Sequence, residues 1–277
     1  MSAPFRVLSW GCGLQSTLLG ELSARGELPH LDLIITADTG WERPATYEAR
    51  DFYTARWREM GMQVEIISVG NIQEIGMQEH IHIPMWTSDG GPLRRQCTRF
   101  FKIRPVKRRI RELLGYDRSK PPHPPPGSVE LWMGITLDEW TRAKPSQVAF
   151  ITHRWPLLEL RMSRTACLDK FDELGLPAPP KSACVCCPYR RASEWIDIRE
   201  TEPEEWAKAL EFDEHNRNNP LAERDSHGHG STADALYLWR ECVPLVEADL
   251  EFEAAKEKRV NAVQMPLFAC ESGFCGT

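Results

Sequence analysis

Apolar runs and helical patterns alternate along the first half of the chain. Residues 5–10 are a short strand-like run, and LDLIITA at 31–37 is a nearly continuous apolar stretch with β-branched side chains. Such continuity is expected of a strand buried on both faces. MQVEIISV at 62–69 and VELWMGI at 129–135 repeat it, and SQVAFITH at 146–153 is a weaker fifth run. Helical patterns lie between these runs. LLGELSARG reads as a helix ended by Gly26, and residues 45–60 place Tyr47, Phe52, Tyr53 and Trp57 in partial helical register. Strands alternating with helices predict an α/β, Rossmann-like fold, a parallel sheet with helices on both faces.

The second half lacks that alternation. A proline-rich segment at 119–128 predicts an extended, exposed linker, and LGLPAPPKS at 174–182 predicts a second stiff connector. Thr201 and Glu204 have capping-box spacing and predict a helix start, with Trp206 and Leu210 on one face. The polar segment containing His227 and His229 reads as a loop. The expected organisation is an α/β domain over 1–165 and a Cys-rich, mainly helical extension over 166–277, packed on the core.

Composition narrows the classes. No stretch approaches the roughly eighteen apolar residues of a membrane span, so no membrane partner is expected. The first residues show no apolar signal core, which points to the cytoplasm, where thiols stay reduced. The chain carries nine cysteines, an odd number that excludes a fully paired disulfide framework and favours metal binding or catalysis. Net charge is −6, yet residues 94–111 hold Arg94, Arg95, Lys102 and further cations with no acid. That run predicts a local anion site, or a solvated basic helix face.

The turn between the first strand and first helix is VLSWGCGLQST. Free backbone N–H groups and the helix dipole favour an anion there. Gly11 and Gly13 would let phosphate approach the backbone, and Ser9 and Ser16 would add hydroxyls. The pattern from Ser9 through Gln15 and Ser16 resembles the PP-loop of the adenine nucleotide alpha-hydrolase superfamily. DTGWERPATYE at 38–48 resembles a segment of the phosphoadenosine phosphosulfate (PAPS) reductase family, and GITLDEWTRAKPS at 134–146 resembles a later loop of related proteins. Glu42 and Ala45 depart from the family pattern. Gln15 stands where many ATP pyrophosphatases carry aspartate, and a neutral amide is a poorer partner for magnesium, the further cofactor ATP chemistry would bring. The resemblance implies an adenine nucleotide (PAPS, adenylylsulfate (APS) or ATP) on this loop, with Asp38 and Thr39 lining its pocket and Arg94, Arg95 and Lys102 holding its anionic groups.

The segment KSACVCCPYRR concentrates cysteines near a C-x-x-C pair, Cys184 and Cys187. Cys97 is followed by Lys102 and Pro105, a spacing that resembles the cluster-binding segment of APS reductases, where a paired cysteine stands at the position of Gln96. The resemblance implies a 4Fe–4S cluster on Cys97, Cys184 and Cys187, with Cys167 as the expected fourth ligand and Cys186 next. A zinc site with four cysteine ligands and buried free thiols remain open alternatives. Cys12 and Cys242 read as packing residues. In the tail, Cys275 and Gly276 retain part of the nucleophilic Cys motif of these reductases, and Cys270 is a weaker candidate. The expected function is thus a PAPS/APS reductase-like enzyme served by a thiol reductant protein. The alternatives are an ATP pyrophosphatase that activates nucleic acid for thiolation, and a non-enzymatic accessory module bound to nucleic acid or a nucleoprotein complex.

Overall fold

The computed structural model describes residues 3–78, 83–88, 91–93, 95–116, 121–219 and 235–263. Five strands, β1 (Phe5–Ser9), β2 (Leu33–Asp38), β3 (Val64–Ser68), β5 (Val129–Trp132) and β6 (Ile151–Arg154), form one parallel sheet in the order β3-β2-β1-β5-β6. The sheet is thus the expected α/β architecture. Its last strand begins later than the apolar run suggested, because Ser146 and Val148 make a turn first.

Successive strand residues point to opposite faces. Leu8, Ile34 and Trp132 pack with α1 (Leu14–Ala24), α2 (Pro44–Glu59), the short α5 (Pro156–Glu159) and α6 (Arg164–Glu173) on one face. Val7, Leu33, Ile35, Val129 and Leu131 meet Val106 and Ile110 of α4 (Arg104–Leu113) on the other. Burial on both faces explains why these strands read as continuous apolar runs rather than as alternation. Gly20 fits α1 against α2, since a Cβ there would lie 2.6 Å from the Trp57 ring.

A third apolar cluster joins the later part of the chain to the sheet's loops. It combines Trp41, Ile72, Met85 and Phe101 with residues of α7 (Ala192–Thr201), α8 (Pro203–Asn216) and α9 (Leu250–Val263). A two-stranded ribbon of β4 (Trp86–Thr87) and β7 (Leu236–Tyr237) flanks it, and α3 (Ile72–Gln78) packs on α8. The helix start expected at Thr201 is instead a helix end: Thr201 closes α7 and donates its hydroxyl to the Asp197 carbonyl, and Pro203 opens α8.

The strand order places the topological switch between β1 and β5, where connections depart in opposite directions. In open α/β sheets, ligands bind in the crevice outside the carboxyl ends of the strands at that point. The loops after β1, β2 and β5 are therefore the place to look.

Candidate functional site

The loop after β1 holds itself in shape with its own hydroxyls. Ser16 Oγ accepts from the Gly11 N–H at 3.2 Å and donates to the Gly13 carbonyl at 3.3 Å. Thr17 Oγ1 donates to that carbonyl at 2.9 Å and accepts from Trp10 Nε1 at 2.9 Å. Cys12 takes the left-handed conformation, φ 57°. Gly13 caps α1 at φ −105° and ψ 172°, an extended geometry open to any residue, and no side chain caps the helix. A Cβ on Gly13 would meet the Ser182 Cβ at 3.8 Å, an ordinary contact. Neither backbone nor packing demands glycine there. No side chain caps the first turn of α1, and such first-turn amides are the groups that bind anions at helix N-termini.

Gly134, just past β5, has the opposite reason to be glycine. A Cβ there would lie 2.5 Å from the Ser16 nitrogen and 2.8 Å from the Gln15 carbonyl carbon. The loop after β5 is thus pressed onto the first turn of α1, so GITLDE and the first loop form one structure.

The end of β2 supplies the next wall. Asp38 accepts from the Gly40 N–H at 2.8 Å and from Tyr47 Oη at 3.1 Å, and pairs with Arg50 at 2.9 Å. Ser9, Gly11, Cys12, Asp38, Tyr47 and Arg50 line a small cavity of about 20 Å³. Burial pushes the Cys12 thiol up to about 12, against a lowering hydrogen bond from Thr36, which fits a packing role.

The cysteine segment docks on the loop after β2. Glu42 and Cys184 form an antiparallel bridge, the Val185 N–H donates to the Trp41 carbonyl at 2.9 Å, and Thr39 Oγ1 lies 3.1 Å from Cys184 Sγ. Arg190, almost fully buried, holds the segment from within. Its guanidinium donates to the carbonyls of Ala183 and Cys184, each at 2.8 Å, and of Val185 at 3.1 Å. Trp86 Nε1 donates to the Pro188 carbonyl at 3.2 Å, and Arg95 lies over the Tyr189 ring, 5.5 Å from its centroid.

Cys97, Cys184, Cys186 and Cys187 line one cavity of about 60 Å³, together with Arg95 and Lys102. That is room for a few water molecules or a small anion. Burial pushes the Cys184, Cys186 and Cys187 thiols up; the Glu42 charge adds to it at Cys184 and the neighbouring cysteines at Cys186. Thiols so placed are neutral near pH 7 unless a cation offsets the burial. Among the described residues, no three His, Cys, Asp or Glu side chains converge as the ligands of a single ion do.

A buried ion pair joins the two cavities. Lys102, on the π-helical turn (Thr98–Ile103) that leads into α4, donates to Glu42 Oε1 at 3.1 Å. Ser182 Oγ donates to Glu42 Oε2 at 3.3 Å. Burial works against the Lys102 charge, but the Glu42 carboxylate more than offsets it, and its pKa stands above the ordinary lysine value. Lys102 and Ser182 line both cavities.

Of the expected residues, the structure brings Ser9, Gly11 and Asp38 to the first cavity, Thr39, Arg95, Cys97, Cys184 and Cys187 to the second, and Lys102 to both. Four expected residues line neither cavity: Gly13, Gln15, Ser16 and Cys167. Gln15 is buried in the first turn of α1 and lines neither cavity, and the Ser16 hydroxyl is committed to the loop's own backbone. Cys167 is not brought to the other cysteines. It and Phe171, one helical turn apart, face the apolar layer against α1, and burial pushes its thiol up to about 12. Cys186 lines the cavity instead. Arg94, His227, His229, Cys270 and Cys275 lie outside the described residues. Sequence reading misses Glu42 as a site residue, since it shows there only as a departure from a pattern. It also misses Arg190, although KSACVCCPYRR contains it.

No protein-family profile matches the chain. A search of curated proteins returns no relative. Among solved structures, the chain is similar to the phosphoadenylyl-sulfate (PAPS) reductase of Candida auris in its phosphate complex: identity is 12%, the alignment covers 64% of this chain and 76% of that one, and the TM-score is 0.42.

Proposed function

We propose that this chain is an adenine-nucleotide-binding enzyme of PAPS/APS reductase type. The observation that carries the reading is the junction of the two cavities: the anion-binding loop at the sheet's switch point and the four-cysteine cavity share Lys102 and Ser182. In this reading the uncapped amides after Gly13 hold nucleotide phosphate, and Arg95 and Lys102 hold the anionic end of the substrate by charge. The Glu42 carboxylate keeps Lys102 protonated and fixed in place.

The same reading assigns a 4Fe–4S cluster to Cys97, Cys184, Cys186 and Cys187. What supports the assignment is the donor chemistry: Cys97, Cys184, Cys186 and Cys187 line one cavity, and thiolates are the ligands such a cluster takes. A bound cluster supplies concentrated charge and redox-active iron. The reacting thiolate in this reading is Cys275. It attacks the sulfate sulfur, a sulfur–sulfur bond forms, and the sulfur–oxygen bond to the nucleotide phosphate breaks with its electron pair leaving on the nucleotide. A dithiol reductant then releases sulfite and is itself oxidised to a disulfide.

The test is to supply PAPS, APS and ATP separately to anaerobically purified protein with a dithiol reductant. Sulfite release from PAPS or APS, lost in Cys275→Ser, is the expected result. Pyrophosphate release from ATP without sulfite from either substrate would replace this reading with the ATP pyrophosphatase one.

A further inference from the structure

From the outer face of α4 we infer that this protein has a second anionic ligand, a single-stranded nucleic acid, bound in a groove distinct from the two cavities above. Arg104, Lys107, Arg108 and Arg111 follow one another at helical spacing and line an open groove of about 570 Å³ whose apolar lining includes Phe100 and Phe150. None of the residues lining it lines either cavity of the candidate site.

Three observations separate this face from an ordinary solvated one. First, the cations are unevenly neutralised. Arg109, on the same helix, makes a paired contact with Glu65 at 2.8 and 3.0 Å, Arg108 lies 3.8 Å from Glu112, and Arg111 contacts His123 at 3.1 Å. Among the described residues, Arg104 and Lys107 have no carboxylate partner. Second, Lys107 is half-buried, and burial first and the Arg99 charge second hold its pKa below the ordinary lysine value. The fold therefore keeps like charges together here on a chain whose net charge is −6. Third, the cations edge an apolar floor whose partly exposed members are Val69, Phe100 and Val148, with Phe150 buried beneath. From Arg104 to Arg111 the helix rises about 10 Å at 1.5 Å per residue, longer than one phosphate and suited to several in succession. A duplex presents only its sugar–phosphate backbone to such a groove. An unpaired strand can lay its phosphates on the cations and its bases on the apolar floor, the combination used by proteins that bind single strands.

The inference goes beyond the nucleotide reading and does not rest on it. The test is fluorescence anisotropy of the full chain with labelled oligothymidylate across a salt series. Wild-type protein is expected to bind at low salt and to lose affinity steeply as salt rises. Arg104→Gln with Lys107→Gln should weaken binding by about tenfold and flatten the slope of log K against log salt by about 0.7 per lost contact. Arg108→Gln with Arg111→Gln serves as an independent pair should the first fail to fold. Arg25→Gln, outside the groove, should change nothing. No salt-dependent binding by wild-type protein, unchanged affinity in both folded double variants, or tighter binding of a blunt duplex than of the single strand would each overturn the inference. None of these results bears on adenine-nucleotide affinity, which is measured separately.

Discussion

Replacing Glu42 by alanine is expected to destabilise the fold by about 3–5 kcal/mol, the cost of breaking one side of a buried ion pair. Both partners are shielded: side-chain exposure is 8% for Glu42 and 12% for Lys102. Without Glu42, the Lys102 ammonium keeps its burial penalty and loses its main compensation, and Ser182 loses its acceptor. The cost should lie in the stranded charge rather than in lost volume. Adding Lys102→Met to Glu42→Ala should therefore recover most of the loss, because a buried pair replaced by apolar groups is often near neutral. Urea unfolding of the wild type, the single variant and the double variant reads this directly. Equal losses in single and double variants would show that the pair is not the source.

Serine at Cys97, Cys184, Cys186 or Cys187 is expected to remove most of the iron and the brown colour from anaerobically purified protein. Serine at Cys167 should leave both in place. The wild type should hold about four iron and four acid-labile sulfide per chain, the stoichiometry of the cluster type. The assignment follows from placement: the first four thiols line one cavity and Cys167 packs against α1. Retained colour in Cys186→Ser together with loss in Cys167→Ser would return the fourth ligand to helix α6. One zinc per chain with no iron, after reconstitution with iron and sulfide, would replace the cluster with a zinc site.

Much of the fold is legible in the sequence because its signals are local. The three central strands, β1, β2 and β5, are buried on both faces, so each appears as an apolar run that needs no partner to be recognised. The loop after β1 is legible for a similar reason, as a glycine turn between a strand and a helix. What stays hidden depends on contacts between distant segments. Lys102 meets Glu42 across 60 positions, and Glu42 meets Ser182 across 140. No periodicity marks such pairs. Cys167 carries a usable local signal: with Phe171 four residues on, it belongs to the inward face of a helix and so to packing. Gln15 and Ser16 read as ligands because they stand in the loop pattern. The helix begins at Leu14, however, which turns one into the core and commits the other to backbone. Arg190 can be suspected only from a basic residue inside a cysteine-rich turn. Its role appears once its guanidinium is seen to gather three carbonyls of that turn.

The central claim is that the loop after β1 binds an adenine nucleotide through its backbone. Calorimetric titration of wild-type protein and of Gly13→Ala with PAPS, APS and ATP in turn tests it most directly. The alanine methyl fits the folded chain, with Ser182 at 3.8 Å, and in this account it crowds a phosphate held by the first-turn amides. The expected result is measurable binding of one of these nucleotides by the wild type, and affinity at least about tenfold weaker in the variant, a loss of about 1.4 kcal/mol, at an unchanged Tm. Equal affinity in the two proteins, or no binding of PAPS, APS or ATP by the wild type, would contradict it.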